Sequence, residues 1–331
     1  MGEKMQFELN LYSKYRTELM GVAAIMVIAS HMHDFGIEMN QYVLRLLGFG
    51  ASGVEVFLFV SGFGLWRSFN NATGGTFALT HKSLLPWYKR RYLRILIPYL
   101  LFAVPIYAVL SYLDGVGYAE YIRRVCFISF WNEGWGLWYV AMLFPLYFVA
   151  PFIIKLFAHK QKLPWFIIIL LLTELFVYFA FGGKGDVYYI RFISSRLPSF
   201  YIGVLLADAI CTNKRTSVFW VLIIPILTYL LLWALNHSLN TRFFYLWLIP
   251  LPLATICTII LEHVKWLQRT SHFLGTISLE IYCTHAFVPV LIIRLFNLSP
   301  TVYLYLLGVC ISVVLSVGIN KLSQKILSVY S

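Results

Sequence analysis

Apolar residues run along this chain in blocks of membrane length, separated by short clusters of lysine, arginine, glycine and asparagine. About twenty apolar residues are needed to cross a hydrocarbon layer of about 30 Å at about 1.5 Å per helical residue. On that measure the pattern predicts helices over about 16–33, 53–69, 92–113, 136–157, 164–181, 190–210, 217–236, 243–264, 276–296 and 301–323. The stretch from Tyr118 to Phe130 reads as a short or re-entrant eleventh segment. The expectation is an all-α polytopic integral membrane protein of about ten transmembrane helices. No internal repeat or low-complexity linker interrupts residues 1–331, which read as one membrane domain without an appended soluble module.

Composition agrees with that pattern. Hydrophobic residues make up 60% of the 331 positions and charged residues 12%, where soluble domains carry about a quarter. The net charge of +12 could point to nucleic acid in a soluble chain. Here the excess of lysine and arginine is what cytoplasmic loops carry, and no long basic run interleaved with aromatics stands apart from the spans, so a nucleic-acid partner is not expected. With the N-terminus inside, eighteen Lys and Arg residues fall on the cytoplasmic side and eight, including Arg45, Lys184, Arg242 and Arg294, on the other. Lys4 and Lys160 are counted among the eighteen, and both termini are expected in the cytoplasm. The N-terminal block is of signal-peptide length, but it is followed only by further spans and reads as an uncleaved first helix. Five cysteines scattered singly, without a CxxC pair, argue against a disulfide framework or a thiolate metal site.

Against this background the ionisable residues inside or beside the blocks stand out, because a charge in lipid must face a protein interior or a water-filled cavity. Between Leu19 and Ser30 the first block holds none, with Arg16 and Glu18 near one end and His31 and Asp34 at the other. Three residues separate His31 from Asp34, so one helix face would let the carboxylate orient the imidazole as in a base–orienter pair. Glu55 opens the second block on the side where the orientation puts His31. Lys89, Arg90, Arg91 and Arg94 cluster at the predicted start of the third; they anchor the helix on its cytoplasmic side or grip an anion, since arginine forks match phosphate. Trp138 and Tyr139 open the fourth, either as part of an interfacial aromatic belt or as a platform for a sugar ring. Arg196 precedes Pro198 inside the sixth, and Glu280, Tyr282 and His285 lie in the ninth.

Taken in order, these motifs resemble acyltransferase family 3, a family of integral membrane proteins. The opening helix with an arginine early and His31 late is similar to the family's first helix, although the family's arginine would fall at Met20, four residues after Arg16. GVEVFLFVSGF resembles its second-helix signature, with Glu55 in place of the usual aspartate. Lys89-Arg90-Arg91 with Leu93-Arg94 and Pro98, Leu137-Trp138-Tyr139 with Pro151, Arg196-Leu197-Pro198 with Phe200 and Gly203, and Ser278 to His285 complete the series over nearly the whole chain.

The resemblance implies transfer of an acyl group, commonly acetyl, from cytosolic acetyl-CoA or another acyl-CoA to a hydroxyl of an extracytoplasmic or lipid-linked glycan, in the bacterial inner (plasma) membrane and among membrane lipid. On this reading the donor is a substrate, and no cofactor or metal is bound permanently. His31 is expected as general base or transient acyl carrier, Asp34 or Glu55 as its orienter, and Arg196 as an oxyanion stabiliser, with Arg16 and His285 as further catalytic candidates. Lys89, Arg90, Arg91 and Arg94 would hold the donor, and Trp138, Tyr139, Glu280 and Tyr282 the acceptor. The competing class is a transporter or flippase, which usually shows interrupted helices paired in two related halves.

Overall fold

Each of the ten apolar blocks folds as helix over most of its described length. The computed structural model describes residues 6–37, 39–158, 161–179, 187–239 and 245–330; Lys4, Lys160, Lys184 and Arg242 of the charge count, and the ends of the blocks predicted at 164–181 and 243–264, lie outside them. In chain order the elements are β1 (Gln6–Glu8), α1 (Asn10–Lys14), α2 (Arg16–His31), α3 (Gln41–Gly48), α4 (Gly53–Ala72), α5 (His81–Leu113), α6 (Tyr118–Val125), α7 (Ile128–Glu133) and α8 (Trp138–Ala158). There follow α9 (Lys162–Phe179), α10 (Val187–Ser194), α11 (Leu197–Cys211), β2 (Arg215–Ser217), α12 (Ile224–Leu239), α13 (Pro250–His263), α14 (Lys265–Thr276), α15 (Ser278–Thr284), α16 (Phe287–Leu295) and α17 (Val302–Tyr330).

Among the described residues eight helical stretches are long and apolar enough to span a membrane. The other two predicted spans are shorter: α2 has 16 residues, and the helix from Phe219 to Leu235 has fewer than eighteen. That second helix opens with a wide π-turn over Phe219–Ile223, where Pro225 offers no N–H to the carbonyl of Val221. The predicted re-entrant stretch is two short helices, α6 and α7.

Three predicted helices differ in ways that matter for chemistry. The helix expected from residue 92 begins at His81, so Lys89, Arg90, Arg91 and Arg94 lie two to four turns inside a 33-residue helix and clear of its positive N-terminal dipole. The sixth span is two helices, α10 and α11, with Arg196 at the break and Pro198 in the first turn of α11, where a missing N–H costs nothing. The ninth is likewise two, α15 and α16, parted at His285 and Ala286. Pro289 has no N–H for the His285 carbonyl four residues back, which accounts for that break.

The chain forms two compact units, each built from discontinuous segments. The first comprises the chain up to Ala23, Ser52–Leu84 and Val149–Gly275. Its centre is the crossing of α4 with α11, where a Cβ on Gly203 would collide with the Phe59 carbonyl and one on Gly62 with that of Phe200. Lipid tails are as apolar as leucine, so such close backbone packing is a main source of helix association in a bilayer. Tyr12 is fully buried nearby, its ring edge-on to Phe59 and its hydroxyl 2.6 Å from Thr255 Oγ1. β1 and β2 pair antiparallel, Phe7 opposite Thr216. The second unit comprises Ala24–Ala51, Leu85–Phe148 and Thr276–Ser331. There α15 and α16 pack on α17, and Pro289 sits against Gly308. Polar groups at the break are met by α17: Ser312 Oγ donates to Thr284 O (3.3 Å), while Thr284 Oγ1 meets Ser316 Oγ at 3.0 Å.

Candidate active site

His31 and His285, 254 positions apart in the sequence, meet in the second unit with ring centroids 4.8 Å apart and planes 89° apart. His31 occupies the last turn of α2. Its Nδ1 lies 2.9 Å from the carbonyl of Val27 one turn back, and a carbonyl can only accept, so Nδ1 carries the proton and Nε2 the lone pair. The end of α2 is also held by Tyr305, whose hydroxyl donates to the Ile28 carbonyl. His285 is 1% exposed. Its Nδ1 donates to two carbonyls, Ile281 and Tyr282, both at 3.0 Å, and its buried Nε2 has no partner.

A cavity of about 280 Å³ opens beside His31, with Asp34, Asp114, Trp135, Arg294 and Tyr305 in its wall. Asp114, just beyond the end of α5, is shared by two guanidinium groups, Arg124 at 2.5 Å and Arg294 at 2.7 Å. The Arg124 guanidinium lies over the Trp135 ring, 4.1 Å from its centroid. Burial alone would raise the Asp114 carboxyl, but the two arginines outweigh it and hold it below the ordinary value of 3.8. A depressed carboxylate stabilises the fold above its unfolded pKa, and that contribution fades as pH falls through the folded value. Asp114→Asn should therefore cost about 1.5 kcal/mol near neutral pH and much less under acid conditions, the low end for a charged hydrogen bond because the cluster borders solvent. Thermal unfolding in detergent at both pH values measures this; an equal loss at both would remove the charge from the account.

Asp34 is not the orienter expected from spacing. Its side chain is 70% exposed with His33 as neighbour at 3.8 Å, while the His31 Nδ1 it was to engage goes to Val27 O. Tyr139 and Tyr282 are buried, the Tyr139 N–H donating to the Tyr282 hydroxyl at 3.0 Å, which joins the start of α8 to α15. Trp138 is half-buried, edge-on to Tyr139. Glu280 accepts from Asn320 (2.9 Å) and feels the charge of Arg94. Lys89, Arg90 and Arg94 are exposed, and Arg91 is half-buried near the Trp87 ring.

Arg16, Glu55 and Arg196 belong to the first unit. Glu55 is fully buried and ion-paired with Arg196, and this pair was not anticipated from the sequence, where 141 positions separate the two. Arg16, in the first turn of α2, lays its guanidinium where a Cβ on Gly64 would stand, with Nη2 at 2.9 Å from that position. Glu18, two residues on, meets His272 at 3.0 Å.

Asp114, Arg124, Arg294 and Tyr305 were also missed. The only signal for the three charged ones was their place at or near predicted span ends, which positive-side counting treats as topology and not as partners.

No curated protein and no solved structure matches the chain. The profile of the Acyltransferase domain matches residues 19–321, which takes in both units and every candidate residue above except Arg16. A helical polytopic chain matched over that length is a member of acyltransferase family 3, the family its ordered motifs resemble, and a membrane acyltransferase.

Proposed function

We propose that this chain moves an acyl group, acetyl before others, from cytosolic acyl-CoA to a hydroxyl of an extracytoplasmic or lipid-linked glycan, with His31 as general base. The observation that carries the reading is the fixed tautomer of His31: with Nδ1–H held by Val27, Nε2 is a free base on a cavity wall. A hydroxyl is a poor nucleophile near neutral pH and needs such a base. The acceptor O–H gives its proton to His31 Nε2 as its oxygen attacks the thioester carbonyl. The C–O bond forms, the C–S bond breaks, and the departing thiolate takes the proton back, leaving an ester and free CoA thiol.

Lys89, Arg90, Arg91 and Arg94 would grip the phosphates of the donor. Arg94 reaches electrostatically to Glu280, and five residues of helix, about 7.5 Å of rise, separate Glu280 from His285. The acceptor would enter the cavity beside Trp135. In this arrangement both termini are cytoplasmic and the membrane is the bacterial inner membrane. The broken helices at Arg196 and His285 are a feature of transporters as well. Thiol release separates the two readings.

The purified full chain in detergent should release thiol from acetyl-CoA when given glycan extracted from cells that carry His31→Gln, and that glycan should gain acetyl esters by mass spectrometry. Replacing Arg90, Arg91 and Arg94 together by alanine should raise KM for acetyl-CoA about tenfold or more with the chain still folded. Absence of thiol release with every extract would sink the reading. An unchanged KM would return the cluster to anchoring the helix.

A further inference from the structure

The resting His31–His285 pair contains an unmet demand. Both imidazoles use Nδ1–H on carbonyls of their own helix, so each has only an acceptor nitrogen left. Two acceptors cannot bond each other. The Nε2 of His285 is therefore buried with nothing to accept from, which costs about 1–3 kcal/mol and calls for an explanation.

Protonation of His31 would bring a positive charge against that lone pair, since the two rings lie edge to face with centroids 4.8 Å apart. We infer that His285 is the positioning partner of His31, its buried Nε2 lone pair facing the positive charge that His31 acquires when it takes the proton of the acyl acceptor. This rests on the reading of His31 as base. His285 itself neither gains nor loses a proton: its Nδ1–H stays on Ile281 and Tyr282, and the proton passes from the acceptor oxygen to His31 Nε2 and on to sulfur.

The other charged and titratable groups around the cavity do not serve. On the segment after α2, Asp34 borders the cavity but is 70% exposed, with His33 as its neighbour. At the end of α5, Asp114 is already shared by Arg124 and by Arg294 of α16. On α17, Tyr305 donates its hydroxyl to Ile28. Among these described residues His285 alone combines burial, contact with the His31 ring and an unused lone pair. The arrangement is held rigid because the Ile281 and Tyr282 carbonyls grip Nδ1 from two sides.

The test reads His31 directly. Diethyl pyrocarbonate acylates an unprotonated imidazole nitrogen and builds positive charge on the ring as it does so. The full chain in detergent is treated with it, and the rate at His31 is followed by peptide mass spectrometry with exposed His33 as internal reference. His285→Phe keeps a ring but removes the lone pair, and should slow labelling of His31 about tenfold relative to His33. His285→Gln restores an acceptor oxygen and should recover most of the rate. In the transfer assay the Phe variant should lose kcat with KM for acetyl-CoA unchanged, and Gln should regain part of it. Labelling of His31 at the unaltered rate in His285→Phe overturns the proposal, as does equal slowing by Phe and Gln. If the Phe variant does not fold, His285→Leu takes its place in the comparison. Labelling needs neither donor nor acceptor, so failure of the pairing and failure of the transfer reading are separate results.

Discussion

His31→Gln is expected to abolish acyl transfer while the protein still inserts and folds. Glutamine can keep a hydrogen bond to the Val27 carbonyl but cannot take a proton at useful pH. Loss of a general base reduces turnover by about 10²–10⁴-fold. The structural cost should be small, because His31 is half-buried on a cavity wall and the end of α2 is independently held by Tyr305. Binding of acetyl-CoA should survive, so the loss falls in kcat. Turnover within tenfold of the unaltered protein, at equal expression, would move the base elsewhere.

Arg196→Met should be the most destabilising single change in the first unit. Glu55 is fully buried with Arg196 as its ion-pair partner, and removing one member of a buried pair leaves a charge that costs about 3–5 kcal/mol. The damage should be repaired by a second change. In the double variant Glu55→Gln with Arg196→Met no uncompensated charge remains, and replacing both members of such a pair is often close to neutral. Thermal unfolding of the three variants and the parent gives the cycle. A double variant no better than Arg196→Met alone would show that packing at the α10–α11 break, and not charge, is what Arg196 supplies.

The helical segments were legible because the length of an apolar block is set by the bilayer itself. Helix starts were less so: α5 begins at His81 and not near residue 92, since the charge-bearing stretch His81–Arg91 hides eleven helical residues from a hydropathy reading. The breaks at Arg196 and His285 had a written signal in Pro198 and Pro289. A proline in a membrane helix can kink it, start a new one or be absorbed by neighbours, and here Ser312 and Ser316 of α17 settled which. The partners of the polar residues were the least legible. Spacing suggested Asp34 for His31 because local geometry is all that spacing carries. The partner the fold supplies to Glu55 comes from a distant helix, and the ring that meets His31 lies 254 positions away.

The turn at His285 ties two properties of the protein to the same few atoms. Pro289 withholds an amide from the His285 carbonyl, the Ile281 and Tyr282 carbonyls capture the imidazole N–H, and that capture decides which nitrogen of the ring is left bare. A regular helix offers a ring only the carbonyl one turn back, as α2 does for His31; the turn at His285 adds a second. Helix continuity and the hold on the His285 ring therefore meet in one turn of the chain.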